Sequence, residues 1–207
     1  MEIEPPSVTG IRNQPVAFPM HDRSVLLVPG LGGSSAGHWQ ALWAGRNSGF
    51  EIVEQADWDA PEPEVWADAL NRAVERAGRP VVLVAHSLGC ALVARWAGTA
   101  DEKLIGAVAG ALLVAPADVD ARDRTPDVVR GFAPMPLDPL PFPSVVVASR
   151  DDPYVASDRA KVFAARWGST FRDVGACGHI NTDSGHGPWP EGRAILDDFL
   201  MRVSEYS

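Results

Sequence analysis

Nine residues, Val81 to Gly89 (VVLVAHSLG), constrain this chain more than any other stretch. An apolar run of strand character breaks at His86-Ser87-Leu88-Gly89. It passes without a linker into Cys90-Ala91-Leu92-Val93-Ala94-Arg95-Trp96, which suits a helix. A buried strand that turns through a serine into a helix strains the serine backbone and lifts its Oγ out of the surface at the tip of the turn. The residues two before and two after that serine must be small, because strand and helix backbones nearly touch there. Ala85 and Gly89 fill these places, and Ala85 departs from the glycine usual at the first. The same outline also occurs as an ordinary strand-to-helix connection, so Ser87 needs chemical partners elsewhere before it counts as a nucleophile.

The rest of the chain alternates strands and helices. Ser24–Val28 is a short apolar run ending in Pro29-Gly30-Leu31-Gly32-Gly33-Ser34-Ser35, a buried strand and its loop, with Ser34 or Ser35 available to cap a helix carrying Trp39, Leu42 and Trp43. Phe50 to Gln55 reads as a second strand. Pro61 to Arg79 has apolar residues at helical spacing, acids early and arginines late, which complements the helix dipole, and Gly78 to stop it. Pro80 to Ala85, Leu104 to Ala115, Val145 to Ser149 and Thr170 to Val174 are the remaining strands. Helices are expected over Ser87 to Ala97, Val155 to Trp167 and Glu191 to Val203. This order predicts an α/β fold, a mostly parallel sheet of about six strands with helices on both faces. Ligands of such sheets bind outside the carboxyl ends of the strands.

The 207 residues, 46% hydrophobic, suffice for one core, so a proline-rich extension over 1–22 and a single domain over 23–207 are expected. The connection from Pro116 to Ser144 is rich in proline and acid, with one short helical region near Thr125 to Arg130; it is either a stiff surface excursion or a rim over a substrate mouth. A formal charge of −9 without a lysine or arginine block speaks against nucleic acid and membrane surfaces as partners and leaves a small molecule. Two cysteines, Cys90 and Cys177, make neither a disulfide framework nor a metal site. Cys90 is expected to be buried and inert. With no signal-like run in the first 22 residues, a reducing cytoplasm is the expected compartment. The glycines after the first strand match neither GxGxxG nor GxxxxGK[ST], and no cofactor is expected.

A serine nucleophile needs a base for its proton and a carboxylate to orient that base. The loop after Val145 to Ser149 carries Asp151 and Asp152, and the loop after Thr170 to Val174 carries His179. Of the five histidines, His21 and His38 precede the serine, and His86 adjoins it but should point away toward the first glycine loop. His186 lies further from the sixth strand than His179 does. Asp151 and Asp152 are harder to separate; the one left over would face solvent or cap the helix near Val155. Charge developing on a carbonyl oxygen needs two preorganised donors, the N–H of Leu88 and that of Leu31, with Gly32 as alternate. Trp39, Trp43 and Trp189 either line an acyl pocket or belong to the core.

With VPGLGG (Val28 to Gly33), HSLG (His86 to Gly89), SRDDPYV (Ser149 to Val155) and ACGHINTDSGHGPWPEG (Ala176 to Gly192) in place, the sequence from Ser24 to Leu200 resembles the compact α/β-hydrolase-fold serine hydrolases related to retinoblastoma-binding protein nine and the YdeN group. The resemblance implies a catalytic triad of Ser87, Asp152 and His179 and no large lid domain. It implies hydrolysis of small carboxylic esters, with amides or thioesters as variants of the same chemistry. A binding module that keeps the fold with little turnover is the alternative. The LxCxE type of pocket-protein motif is missing from the chain, so that interaction does not transfer.

Overall fold

The computed structural model describes residues 23–78 and 80–204. The extension expected over 1–22, Arg79, where the sequence expectation ended a helix, and residues 205–207 lie outside the described residues. Six strands form one parallel sheet in the order β2-β1-β3-β4-β5-β6: β1 (Ser24–Val28), β2 (Phe50–Ile52), β3 (Val81–His86), β4 (Val108–Val114), β5 (Ser144–Ala148) and β6 (Thr170–Asp173). The chain steps from β1 outward to β2 and then returns to place β3 on the other side of β1. Loops leaving β1 and β3 therefore diverge at the carboxyl edge and open a crevice there.

Period-two alternation sorts the strand side chains into two layers. Leu26, Val28, Leu83, Ala85, Leu113 and Val146 pack beneath α2 (Pro63–Ala77), α3 (Leu88–Ala97) and α5 (Ser157–Trp167), with Trp66, Trp96, Phe163 and Trp167. On the opposite face Val25, Leu27, Val82, Val84, Leu112 and Val147 meet α1 (Trp39–Arg46) and α6 (Pro190–Ser204) through Trp39, Trp43, Leu196 and Phe199. Both faces of the central strands are thus covered, which is why they read as continuous apolar runs. No helix among the described residues is long and apolar enough to cross a membrane.

Among the departures from the sequence expectation, three go beyond a shift of a residue or two at an element's end. The strand expected from Leu104 is preceded by a short helix, α4 (Glu102–Gly106), whose cap is the Asp101 carboxylate accepting from the Lys103 N–H at 2.8 Å. Leu104 is apolar because that turn packs on the core, and β4 starts only at Val108. The cap of α1 is His38, whose Nδ1 accepts the Gln40 N–H at 3.2 Å, rather than Ser34 or Ser35. Ser34 instead donates to Oε1 of the fully buried Gln40. The second strand stops at Ile52, short of Gln55.

Candidate active site

Ser87 joins β3 to α3 with φ 57° and ψ −122°, a conformation that costs a non-glycine residue roughly 1–3 kcal/mol and persists only where its surroundings enforce it. Its N–H donates to the Val114 carbonyl at 3.0 Å, and its own carbonyl accepts from Cys90 N–H at 3.0 Å. These bonds hold the turn from both sides. Gly89 is required by close approach: a Cβ there would run into the Val28 carbonyl oxygen and lie 2.7 Å from that of Pro29. Ala85, fully buried within the layer of α2 and α3, is accommodated two residues before the serine.

The structure brings Ser87, His179 and Asp152 together. Nε2 of His179 lies 2.8 Å from Ser87 Oγ, while Nδ1 lies 2.9 and 3.0 Å from the two carboxylate oxygens of Asp152. A carboxylate can only accept, so the imidazole proton sits on Nδ1, leaving the Nε2 lone pair for the serine hydroxyl. Asp152 is 4% exposed and His179 7%, with the backbone N–H of Tyr154 donating to Asp152 at 2.8 Å. The Tyr154 ring stands edge-on to the imidazole at 4.5 Å. Asp151 is exposed and turned elsewhere: its Oδ1 accepts from Ser149 Oγ at 2.7 Å and from the Gly178 N–H at 2.8 Å. These bonds hold its carboxyl below the usual range, the serine hydroxyl contributing most. It neither caps α5 nor stands idle; it folds the loop that carries His179. His186 bonds to Ser184 at 3.1 Å and is no partner of Ser87.

A cavity of about 560 Å³ opens over Ser87. Leu31 and Leu88 line it, and neither N–H has an acceptor among the described hydrogen bonds. Leu88 is the first residue of α3, where helix geometry leaves the N–H free. Leu31 is held in a turn from Gly30 to Gly33, closed by a 3.1 Å bond, in which Gly32 takes φ +75°. The N–H of Gly32 donates to the Trp58 carbonyl at 2.9 Å, which removes it as a donor to a ligand. Thr125, Pro126 and Val129 of the long connection form part of the wall, so that segment is a rim. The Arg130 guanidinium grips it from inside, donating to Thr125 Oγ1 and the Val119 carbonyl at 2.7 Å each and to the Ala121 carbonyl at 3.3 Å.

The sequence pattern of the serine hydrolase family matches residues 25–198. A YdeN-like hydrolase from Pectobacterium atrosepticum has 31% identity, with 88% of this chain and 93% of that one covered and a TM-score of 0.77. This chain belongs to the serine hydrolase family. The ydeN gene product of B. subtilis is similar at 21% identity over 86% of this chain and 98% of that one, TM-score 0.66. A thermophilic esterase from Thermogutta terrifontis, at 17% identity over 87% and 90% with a TM-score of 0.64, shares the fold. No curated protein sequence matches. The family places the chain among enzymes rather than among modules that only bind.

Two features of this hydrolase escape sequence reasoning. Trp39, Trp43 and Trp189, expected as pocket or core, do not line the cavity. They form one aromatic cluster, with Trp39 and Trp189 ring centres 5.1 Å apart and Trp43 stacked on Trp189 at 6.0 Å. Trp39 Nε1 donates to the Ile180 carbonyl at 2.9 Å and Trp43 Nε1 to that of Pro188 at 3.0 Å, so the tryptophans anchor the histidine-bearing segment to α1. The second is a set of histidines. The His86 ring packs between His38 and His179: its Nε2–H donates to the His179 backbone carbonyl at 2.9 Å, and its ring centre lies 4.8 Å from that of His179 and 4.9 Å from that of His38. Burial, then the charge of His179, lowers the pKa of His38 to about 4 and that of His86 well below the ordinary value. Both are neutral near pH 7. Cys90 is buried in the first turn after Ser87, and burial raises its thiol pKa well above normal, as expected of an inert packing residue.

Proposed function

We propose that this serine hydrolase cleaves small carboxylic esters through an acyl-enzyme on Ser87, with His179 as base and Asp152 as its orienting carboxylate. One observation carries the reading: an unbroken hydrogen-bond relay runs from Ser87 Oγ through His179 to Asp152, with each link between 2.8 and 3.0 Å. His179 Nε2 takes the serine proton as Oγ attacks the carbonyl carbon, and Asp152 stabilises the imidazolium that forms. The free N–H groups of Leu31 and Leu88 receive the oxyanion, a contribution of roughly 3–4 kcal/mol per donor in such sites. As the tetrahedral intermediate collapses, the imidazolium returns its proton to the leaving oxygen. Water, deprotonated by His179, then attacks the acyl-serine and releases the acid.

Amides and thioesters present the same carbonyl to the same groups and belong to the range of this site. A fluorophosphonate probe tests the assignment. Wild type should become labelled on Ser87 and lose p-nitrophenyl acetate hydrolysis, whereas Ser87→Ala should do neither chemistry. Labelling that persists in Ser87→Ala would refute the nucleophile.

A further inference from the structure

Besides the triad, one polar side chain on the cavity wall is buried, oriented and left with a free donor. His38 is 5% exposed and lines the cavity. Its Nδ1 is committed to the Gln40 N–H, so the ring proton resides on Nε2, which has no protein partner among the described residues. The ring has little freedom. Gln40, wholly buried, fixes the start of α1 by donating to the Val84 carbonyl at 3.0 Å and accepting from Ser34 Oγ at 2.8 Å, and the rings of His86 and Trp39 hold the imidazole at 4.9 and 5.2 Å. Burial keeps it neutral. A neutral, preorganised N–H facing a cavity recognises an oxygen acceptor and strongly disfavours an apolar group that leaves it unpaired.

The position of that donor says which half of the substrate it meets. His179 must deliver its proton to the leaving oxygen from hydrogen-bond range, so the leaving group lies beside His179. The His38 ring centre lies 4.9 Å from that of His86, itself 4.8 Å from that of His179, and Asn181 and Thr182, the next lining residues of the histidine segment, border the same cavity. Ser35 Oγ meets Thr182 Oγ1 at 3.5 Å there. No lysine or arginine lines the cavity among the described residues, so an anionic leaving group would find no counter-charge.

We propose that His38 is a specificity-determining residue whose Nε2–H donates to an oxygen of an uncharged, acceptor-bearing alcohol as it leaves. This deepens the ester-hydrolase reading and rests on it. The test uses butyl acetate and 2-methoxyethyl acetate, which differ by one CH₂ replaced with an ether oxygen in the alcohol. The readout is the ratio of their kcat/KM values, so losses common to both esters cancel. His38→Asn keeps a side-chain oxygen at the Nδ1 position to cap α1 and draws the donor back to the Cδ2 position, short of the reach of Nε2; His38→Gln puts an amide N–H near the Nε2 position and weakens the cap. The wild-type preference for the methoxyethyl ester should shrink about tenfold in His38→Asn, the scale of one neutral hydrogen bond, and recover in His38→Gln despite its lower Tm. A ratio unchanged in His38→Asn, or lowered equally in both variants, overturns the proposal. Fluorophosphonate, whose leaving group is fluoride, reports on Ser87 separately. Ser87 labelled with an unchanged ester ratio fails this proposal alone; Ser87 unlabelled in wild type fails the triad as well.

Discussion

Replacing Gly89 by alanine sets two effects against each other, and their magnitudes decide the outcome. Alanine is the better helix former by about 1 kcal/mol, and Gly89 lies in the first turn of α3. Against this, the new Cβ would strike the Val28 carbonyl oxygen and stand 2.7 Å from that of Pro29, where ordinary contact begins at 3.4 Å. Clearing Pro29 alone moves the start of α3 by about 0.7 Å, and Val28 demands more. Both obstacles are backbone at the end of β1, so no side chain can swing aside. Overpacking of this kind costs about 1–3 kcal/mol, leaving a net loss of about 1 kcal/mol after the helix gain. The larger effect falls on chemistry. Ser87 precedes the displaced turn, and a shift of that size breaks the 2.8 Å contact with His179, for which a fall in kcat/KM of about a hundredfold is expected. Urea unfolding, p-nitrophenyl acetate kinetics and the rate of fluorophosphonate labelling measure the two effects separately. A Gly89→Ala protein more stable than wild type and at least half as active would refute the argument that close approach, not conformation, fixes this glycine.

Two further outcomes follow from the site. Asp152→Asn should lower kcat by on the order of 10³ to 10⁴, because the amide favours the wrong tautomer of His179. Asp151→Asn, which weakens only the loop bonds to Ser149 and Gly178, should cost about tenfold by way of a displaced histidine; equal losses would erase the distinction between the two aspartates. Stability should also fall on acidification, since the unfolded chain protonates His38 near 6.5 while the fold holds it neutral down to about 4. The unfolded state therefore binds more protons in that window, and stability drops as pH falls through it, by up to about 3 kcal/mol for His38, with His86 acting in the same direction. Urea unfolding at about pH 7 and about pH 4.5 should show a smaller loss in His38→Asn than in wild type, and an equal loss would count against a buried neutral ring.

The strands were legible because parallel strands covered on both faces are apolar along their whole length, and VVLVAH and SVVVA carry that signature. Of the residues proposed as the triad, Ser87 and Asp152 were legible for a related reason, since each follows such a run; His179 follows the mostly exposed edge strand TFRD and was singled out by chain order instead. The helix α4 was not legible, since Leu104 and Ile105 stand one glycine and one alanine from β4 and extend its apolar run; the signal that could have separated them was Asp101 as a cap. The parts played by His38 and His86 lay beyond reach, because they depend on α1 meeting the end of β3 through a single buried glutamine. For the tryptophans the sequence left pocket and core open, and the structure puts them in the core. Helical spacing put Trp39 and Trp43 on one face of α1, and that face turned inward, toward the loop that holds the base.

Arg130 has a consequence for how this enzyme meets its substrate. By threading its guanidinium into the carbonyls of the segment above the nucleophile, it turns a proline-rich excursion into masonry. Carbonyls tied in this way have less freedom left to lose when a ligand packs on them, so the wall adds little ordering cost to binding.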